Sequence, residues 1–306
     1  MSSTLLILAA GMASRYGSLK QIDRFGPSGE CILEYSIYDA IDAGFDKIVF
    51  VIRASFAEEF KALFGPKLEG KVEVAYVYQE ITAYTNGISL PAERTKPWGT
   101  AHAILCAEAV IREPFAVINA DDFYGRAAYQ AAHRFLREGC NKHTYAIIGY
   151  PLLQTLSANG TVSRGICEMD AAHRLRALTE RTKVSIDHGQ PVYEWEGQFH
   201  PIAPGTLASM NFWCFDPSVF PLLQQWFNNF LQTSLQDLKS EFFIPLVGDK
   251  FIKEAGGVIE VLPCDAEWFG VTYKEDAPPV REKLLQLAAQ QVYPVRLWQE
   301  VITTTL

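Results

Sequence analysis

Residues 4–21 read TLLILAAGMASRYGSLKQ, and the parsing of this stretch decides the fold. Leu5–Ala10 is a continuous apolar run. It marks a strand over Thr4–Ala10 that is buried on both faces, as in a parallel sheet. The run is far short of the ~20 apolar residues that cross a membrane. It then yields to Gly11, small residues, Arg15 and Lys20. In open α/β sheets ligands bind beyond the carboxyl ends of the strands, where this stretch lies. Gly11, with Ala9, Ala10, Ala13 and Ser14, lets the backbone approach a ligand closely. Successive amides in such a turn can point at one anion. Arg15 offers a forked set of donors to phosphate oxygens, and Lys20 adds a compact positive charge. Together they suit a triphosphate. A glycine turn with one Arg and one Lys also occurs on ordinary surfaces, so this reading needs support elsewhere. The chain has no G-x-x-x-x-G-K-[ST] and no G-x-G-x-x-G here, which argues against a P-loop and a dinucleotide fold.

Outward from this stretch, strands and helices alternate. Lys47–Arg53 (KIVFVIR), Val72–Gln79 (VEVAYVYQ) and Phe115–Asp122 (FAVINADD) read as further strands. Helical stripes run over Leu33, Ile37, Ala40, Ile41 and Gly44, around 56–64, over 99–111, and through Ala128, Ala132, Phe135 and Leu136. Repeated βα units imply a mostly parallel sheet with helices on both faces. After Tyr150 the pattern turns to shorter, partly antiparallel strands: ICEMD, RALTER, VYEWEG and ASMNFWCF. Helices near 218–231 and 242–254, a strand at 258–262 and a last helix near 280–290 close the chain. The expected fold class is α/β, a mostly parallel mixed sheet flanked by helices. No Pro- or Ser-rich linker divides the halves, so residues 1–306 read as one domain. The stretch 80–97 is long for a loop, and such loops beside a site are often lids.

Composition narrows the function. The 306 residues are 49% hydrophobic, with a formal net charge of -8. An acidic surface argues against nucleic-acid and membrane-surface partners, which are polyanions. It leaves room for a small phosphorylated ligand held by local cations. The six cysteines have no C-x-x-C spacing and read as small buried side chains in a reducing compartment. No basic leader precedes the first run, so the expectation is a cytoplasmic, soluble chain.

Two further stretches support the phosphate reading. PWGTAHAIL, residues 97–105, places Gly99 and Thr100 at a helix start, where open amides can meet an anion or a base edge. A plain Thr-capped helix start reads the same way. AVINADDFYG, residues 116–125, ends a buried strand in Asp121 and Asp122. Carboxylates there suit Mg²⁺, a hard cation that seeks oxygen ligands and phosphate, although one of them could simply cap the next helix.

These three stretches, in this order, resemble the sugar-1-phosphate nucleotidyltransferase superfamily, whose fold is nucleotide-diphospho-sugar transferase-like. LAAGMASR…K looks like its L-A-A-G-x-[GA]-x-R…K signature, and WGTAHAIL like its G-T-[AG]-x-A motif. INADDFYG is similar to the strand that ends in the metal-binding Asp. TERTK and SMNFWCF resemble the segments that meet the sugar phosphate and the sugar. The likeness runs from about Leu5 to Thr272. It implies that residues 1–150 bind the nucleotide and 151–306, with the C-terminal helix, bind the acceptor. Ala10 and Gly11 would line the nucleotide. Arg15 and Lys20 would bind the triphosphate and neutralise charge at the α-phosphorus. Gln79, Gly99 and Thr100 would face the base. Asp121 would hold Mg²⁺. Glu180 and Asn211 would contact the sugar, and Arg181 or Lys183 its phosphate.

The family's second metal ligand has no counterpart here, because EWFGVTYKED carries Gly270 and Thr272 at the matching places. Asp276 is the expected substitute, with Thr272, Asp122 and water as alternatives. The implied reaction joins an NTP (UTP, CTP or dTTP) to a sugar-1-phosphate or similar phosphorylated acceptor, releasing pyrophosphate. Two other readings stay open: a GT-A-like glycosyltransferase that consumes a nucleotide-sugar, and a non-catalytic nucleotide-binding homologue. The stripe Leu284, Leu285, Leu287 and Ala288 reads as core first and as a homodimer contact second.

Overall fold

The structure, a computed structural model, describes residues 2–11, 23–271 and 273–298. Arg15, Lys20 and Thr272 lie outside the described residues. In chain order the elements are β1 (Thr4–Leu8), α1 (Ile32–Ala43), β2 (Lys47–Ile52), α2 (Ala57–Leu68), β3 (Glu73–Tyr78), α3 (Thr100–Leu105), β4 (Phe115–Asn119), β5 (Asp122–Phe123) and α4 (Arg126–Glu138). Then come β6 (Thr144–Pro151), β7 (Val162–Met169), β8 (Leu175–Asp187), β9 (Gln190–Trp195), β10 (Gln198–Pro201), β11 (Leu207–Phe215), α5 (Val219–Ser234), α6 (Ile244–Lys253), β12 (Val258–Pro263), β13 (Phe269–Gly270) and α7 (Ala277–Ala289).

One large mixed sheet orders its strands β10-β9-β8-β7-β11-β4-β1-β2-β3, with β6 on β11 and β12 on β6. The run β4-β1-β2-β3 is parallel, as the alternating first half requires. β11 is antiparallel to β4, and the β7–β10 strands continue antiparallel from it. Strand alternation sorts the core. Leu5, Ile7, Ile48, Phe50 and Ile118 meet α1, α2 and α4 on one face. Leu6, Val49, Val51, Phe115 and Val117 meet α3, α5 and α6 on the other. Each such fully buried side chain contributes roughly 1.5–3 kcal/mol. A smaller cluster docks α7 through Val280 and Leu284 against Phe25, Ile32, Tyr35 and Phe123. Leu284 is therefore core, whereas Leu285 is exposed.

Three local readings change. The helix expected over 99–111 stops at Leu105 and gives way to turns. β6, whose six central residues are buried, is a strand that the sequence reading does not single out, and it joins the sheet beside β11. The stretch 80–97 is pinned. Arg94 is 2% exposed, lies 3.3 Å over the Trp98 ring, and donates to the carbonyls of Asp237 (3.0 Å) and Ser240 (2.8 Å). Trp98 Nε1 in turn donates to Ile81 O at 2.8 Å.

Candidate active site

The site begins where β1 and β4 end side by side. Leu8 pairs with Asn119, and Ala120 N donates to Leu8 O at 3.3 Å. The chain therefore leaves β1 through Ala10 and Gly11 alongside Asp121 and Asp122. Gly11 is exposed, and a Cβ there would meet nothing within 4 Å among the described residues.

The other wall comes from a split along one edge of β11. β4 pairs with Trp213–Phe215, and β7 pairs with Leu207–Ser209. Between these pairings β11 bulges, and Asn211 adopts a left-handed φ of 64°. The tip of β4 lies at this gap. Asn211 Nδ2 donates to Asn119 Oδ1 (2.7 Å), and Asn211 Oδ1 accepts from Trp213 Nε1 (3.2 Å). Asn119 Nδ2 then donates to Asp122 Oδ2 (2.9 Å). The Tyr124 hydroxyl accepts from Asn119 N at 3.1 Å and lies 3.0 Å from Met210 O. Burial, and secondarily the Asp122 charge, push the Tyr124 pKa well up, so it stays a neutral phenol. The sequence reading named Asn211 for sugar contact; its amide also locks the strand tip that carries the acids.

Asp121 and Asp122 are half-buried in this corner. Gly270 pairs with Asp122 across β5 and β13, and a Cβ at Gly270 would sit 2.7 Å from Asp122 Oδ1. The Asp122 carboxylate thus fills the space that a side chain at 270 would take. Asp276 lies at the start of α7. Its Oδ1 accepts from Ser157 Oγ (2.9 Å) and Asn159 Nδ2 (2.8 Å), and its Oδ2 from Tyr273 N (2.7 Å). These bonds hold the 157–159 loop to the turn that opens α7.

Arg164, which the sequence reading missed, is buried on β7 among these acids. Its Nε donates to Thr155 O (3.0 Å), its Nη1 to Ser163 O (2.7 Å), and its guanidinium carbon lies 5.0 Å from the Trp268 ring centre. Burial lowers its pKa, and the charges of Asp122, Glu180 and Asp276 oppose that. The sequence signal was a lone Arg in a strand otherwise rich in buried positions.

Glu180 on β8 sits opposite Gly165, which in turn pairs with Ser209. Two small residues thus lie between Glu180 and the β11 bulge. Glu180 is exposed, yet enough protein surrounds its carboxyl to raise the pKa, with Arg164 opposing. Arg181 projects from the opposite face of the strand; its guanidinium carbon lies 4.4 Å over the Tyr193 ring. Lys183, at a left-handed φ of 52°, pairs with Glu194 at 2.7 Å on the exposed β8–β9 hairpin.

Beyond β1 and β2, Gln79 follows β3 directly and is 6% exposed. Its Nε2 donates to Gly99 O at 2.9 Å. The start of α3 is less open than the sequence suggested. Ala101 N donates to Phe242 O (3.0 Å), and Thr100 Oγ1 accepts from Ile244 N (3.1 Å). Thr100 thus ties α3 to α6.

A family model described as nucleotidyl transferase matches residues 5–238. The chain belongs to that family, whose members are nucleotidyltransferase enzymes. No curated protein matches the chain by sequence. Among solved structures, it is similar to a glucose-1-phosphate thymidylyltransferase from Bacillus anthracis, solved with sucrose, at 12% identity and TM-score 0.61, covering 92% of this chain and 95% of that one. It is also similar to the inositol-1-phosphate CTP transferase from T. maritima, at 13% identity and TM-score 0.61, covering 94% and 96%. A UDP-glucose pyrophosphorylase complexed with UDP-glucose aligns at 16% identity and TM-score 0.60, covering 94% and 99%. These likenesses establish the fold. No helix among the described residues is long and apolar enough to cross a membrane.

Proposed function

We propose that the chain is a cytoplasmic, Mg²⁺-dependent nucleotidyltransferase that joins an NTP to a sugar-1-phosphate or similar phosphorylated acceptor. One observation carries the reading: β1 and β4 end in register, so Ala10 and Gly11 leave the sheet beside Asp121 and Asp122, and Arg15 and Lys20, outside the described residues, follow them closely in sequence. In the reaction an acceptor phosphate oxygen attacks the α-phosphorus in line, an O–P bond forms, and the bond to the β-phosphate oxygen breaks to release pyrophosphate. The acceptor is already an anion, so no protein nucleophile is required. The obstacle is repulsion between anions, which positioning and cationic side chains reduce. Arg15 and Lys20 would hold the triphosphate, Gln79 would face the base and Glu180 the sugar. UTP, CTP and dTTP are the first candidates.

The strand-tip acids fit Mg²⁺, which is bound through one or two carboxylates together with substrate phosphates and water. Among the described residues no group of three or more His, Cys, Asp or Glu could cage a metal. Asp121 would be the metal carboxylate. Both remaining carboxylate candidates already accept protein hydrogen bonds, Asp276 from Ser157, Asn159 and Tyr273 and Asp122 from Asn119; Asp122 stands beside Asp121 at the strand tip and is the proposed second ligand, with Asp276 as the alternative. Bound there, Mg²⁺ would neutralise phosphate charge. Pyrophosphate release from four NTPs against a panel of phosphorylated acceptors tests the reading. Lys20→Ala should lower turnover ~10²–10³-fold with the fold intact. Near-normal turnover in that variant would refute its role.

A further inference from the structure

His102 is completely buried in the wall of α3, and the reaction as proposed gives it no part. Its Nε2 lies 3.0 Å from Ala83 O. A carbonyl can only accept, so Nε2 carries the proton and Nδ1 is left as an acceptor. Burial pushes the ring's pKa down to about 4, which keeps it neutral near pH 7. Nδ1 faces Gln79 Nε2 at 3.4 Å, and Gly99 O faces the same nitrogen at 2.9 Å. Both neighbours therefore select the NH₂ end of the Gln79 carboxamide. Turned over, the amide would press its oxygen against a carbonyl oxygen and a ring lone pair. In the selected orientation the carboxamide oxygen accepts no hydrogen bond from the described residues, and it is not among the sealed, partnerless atoms of the interior.

We infer that His102 is a positioning residue for base recognition: with Gly99 it holds Gln79 so that an acceptor oxygen, not an amide N–H, meets the nucleotide base. The inference rests on the reading of Gln79 as the base contact. The base selected is one that offers an N–H donor at that point. A base with a bare ring nitrogen or a carbonyl there meets like charge. His102 acts through Gln79 and need not touch the substrate.

Two variants separate this role from simple packing. His102→Asn places an amide oxygen near the Nδ1 position, so it keeps an acceptor for Gln79 but loses the reach to Ala83. His102→Gln keeps the reach to Ala83 and loses that acceptor. Calorimetry with UTP, CTP, dTTP, ATP and GTP in Mg²⁺ gives the affinity ratio between the preferred and next-best nucleotide. The whole chain is used, with thermal melts alongside. The ratio should fall about tenfold in His102→Gln, the loss expected for one hydrogen bond, and hold in His102→Asn. An unchanged ratio in His102→Gln, or an equal loss in both variants, overturns the inference. If either variant fails to fold, selectively ¹⁵N-labelled wild type decides. Its Gln79 side-chain protons should form a resolved, slowly exchanging pair, and a rapidly exchanging signal overturns the assignment. Wild type that binds nucleotide with the stated ratios but releases no pyrophosphate ends the transferase reading alone. Turnover with ratios indifferent to His102 ends this one alone.

Discussion

Replacing Gly99 with alanine tests the close approach between the start of α3 and the segment that opens α6. Gly99 has φ 101° and ψ -175°, a region that is essentially glycine-only and costs any other residue about 1–3 kcal/mol. A Cβ there would also lie 2.8 Å from Phe242 O and 3.1 Å from both Phe242 N and Glu241 Cβ. Phe242 O cannot rotate away, because it accepts from Ala101 N. Overpacking against such a fixed neighbour adds about 1–3 kcal/mol. The sum is a loss of about 2–6 kcal/mol of unfolding free energy, large against the ~5–15 kcal/mol of a typical domain. Gly205→Ala is the control. Its φ is 78° and nothing lies within 4 Å of the added methyl, so only the backbone cost applies. Urea unfolding of both variants compares a methyl at a positive φ with and without the clash. Relief of the clash must move Gly99 O, which holds Gln79, so nucleotide selection should weaken as well. Equal midpoints for Gly99→Ala and Gly205→Ala would refute the close-approach argument.

Other perturbations address the acids and the pinned loop. Burial raises the Asp39 pKa from 3.8 to about 6, with the Tyr293 hydroxyl (2.6 Å) and Arg126 (3.3 Å) opposing. The folded chain binds the extra proton, so this group makes stability fall as pH rises from about 4 to 6, by up to roughly 3 kcal/mol. In Asp39→Asn that slope should vanish from pH-dependent urea curves; an unchanged slope would place the titration elsewhere. His102 tilts the same window the other way. Its folded pKa of about 4 lies below the unfolded 6.5, so its contribution is present above pH 6.5 and lost as pH falls towards 4. Asp121→Asn should abolish turnover while the circular dichroism spectrum of the folded chain is kept; turnover near wild type would remove it from the reaction. Asp276→Asn should cost about 1–3 kcal/mol of stability and leave Mg²⁺ affinity intact, and the opposite result would make it the metal ligand. Arg94→Ala should cost about 3–5 kcal/mol and open residues 80–98 to proteolysis, since it leaves buried carbonyls unpaired. Resistance equal to wild type would show the loop is held by other contacts.

The parallel half was legible because buried strands and amphipathic helices write their periods locally. β1 to β4 and the stripes of α1 and α4 come directly from runs of side chains a few residues apart. β6 is as apolar as β1 and is bracketed by Gly139 and Asn141 before it and Pro151 at its end, so the sequence carries it too, at the junction between the parallel and antiparallel patterns. α3 reads longer than it is because Ala107 and Ile111 keep the helical spacing of Ala103 and Ile104 after hydrogen bonding has turned mostly to 3-residue closures. The stretch 80–97 looks free in composition, and only the distant carbonyls of Asp237 and Ser240 reveal that Arg94 fastens it. At the site, the strand-end positions of Asp121 and Gln79 were legible from the apolar runs, and their roles are what the resemblance implies. Asn119 and Arg164 were not legible, because their meaning lies in partners far along the chain. Asn119 bonds Asn211, 92 residues away, and Arg164 senses Asp276.

The split edge of β11 explains why such distant residues converge. A strand can offer one edge to two partners only if each takes part of its length. β4 takes the segment from Trp213 and β7 takes the segment up to Ser209. The parallel strands and the antiparallel hairpins are therefore registered against the same backbone, and the gap between them is set by the bulge at Asn211. Adjacent strands lie ~4.8 Å apart, so the spacing across the gap is fixed to within a side chain. Asn211 then ties the gap to Asn119, and Asn119 to Asp122. A change at 211 must act on both sides at once. Asn211→Leu would release the β4 tip and reshape the wall towards Glu180 together. Nucleotide and acceptor affinities should thus fall jointly, whereas a residue serving the acceptor alone would change only one.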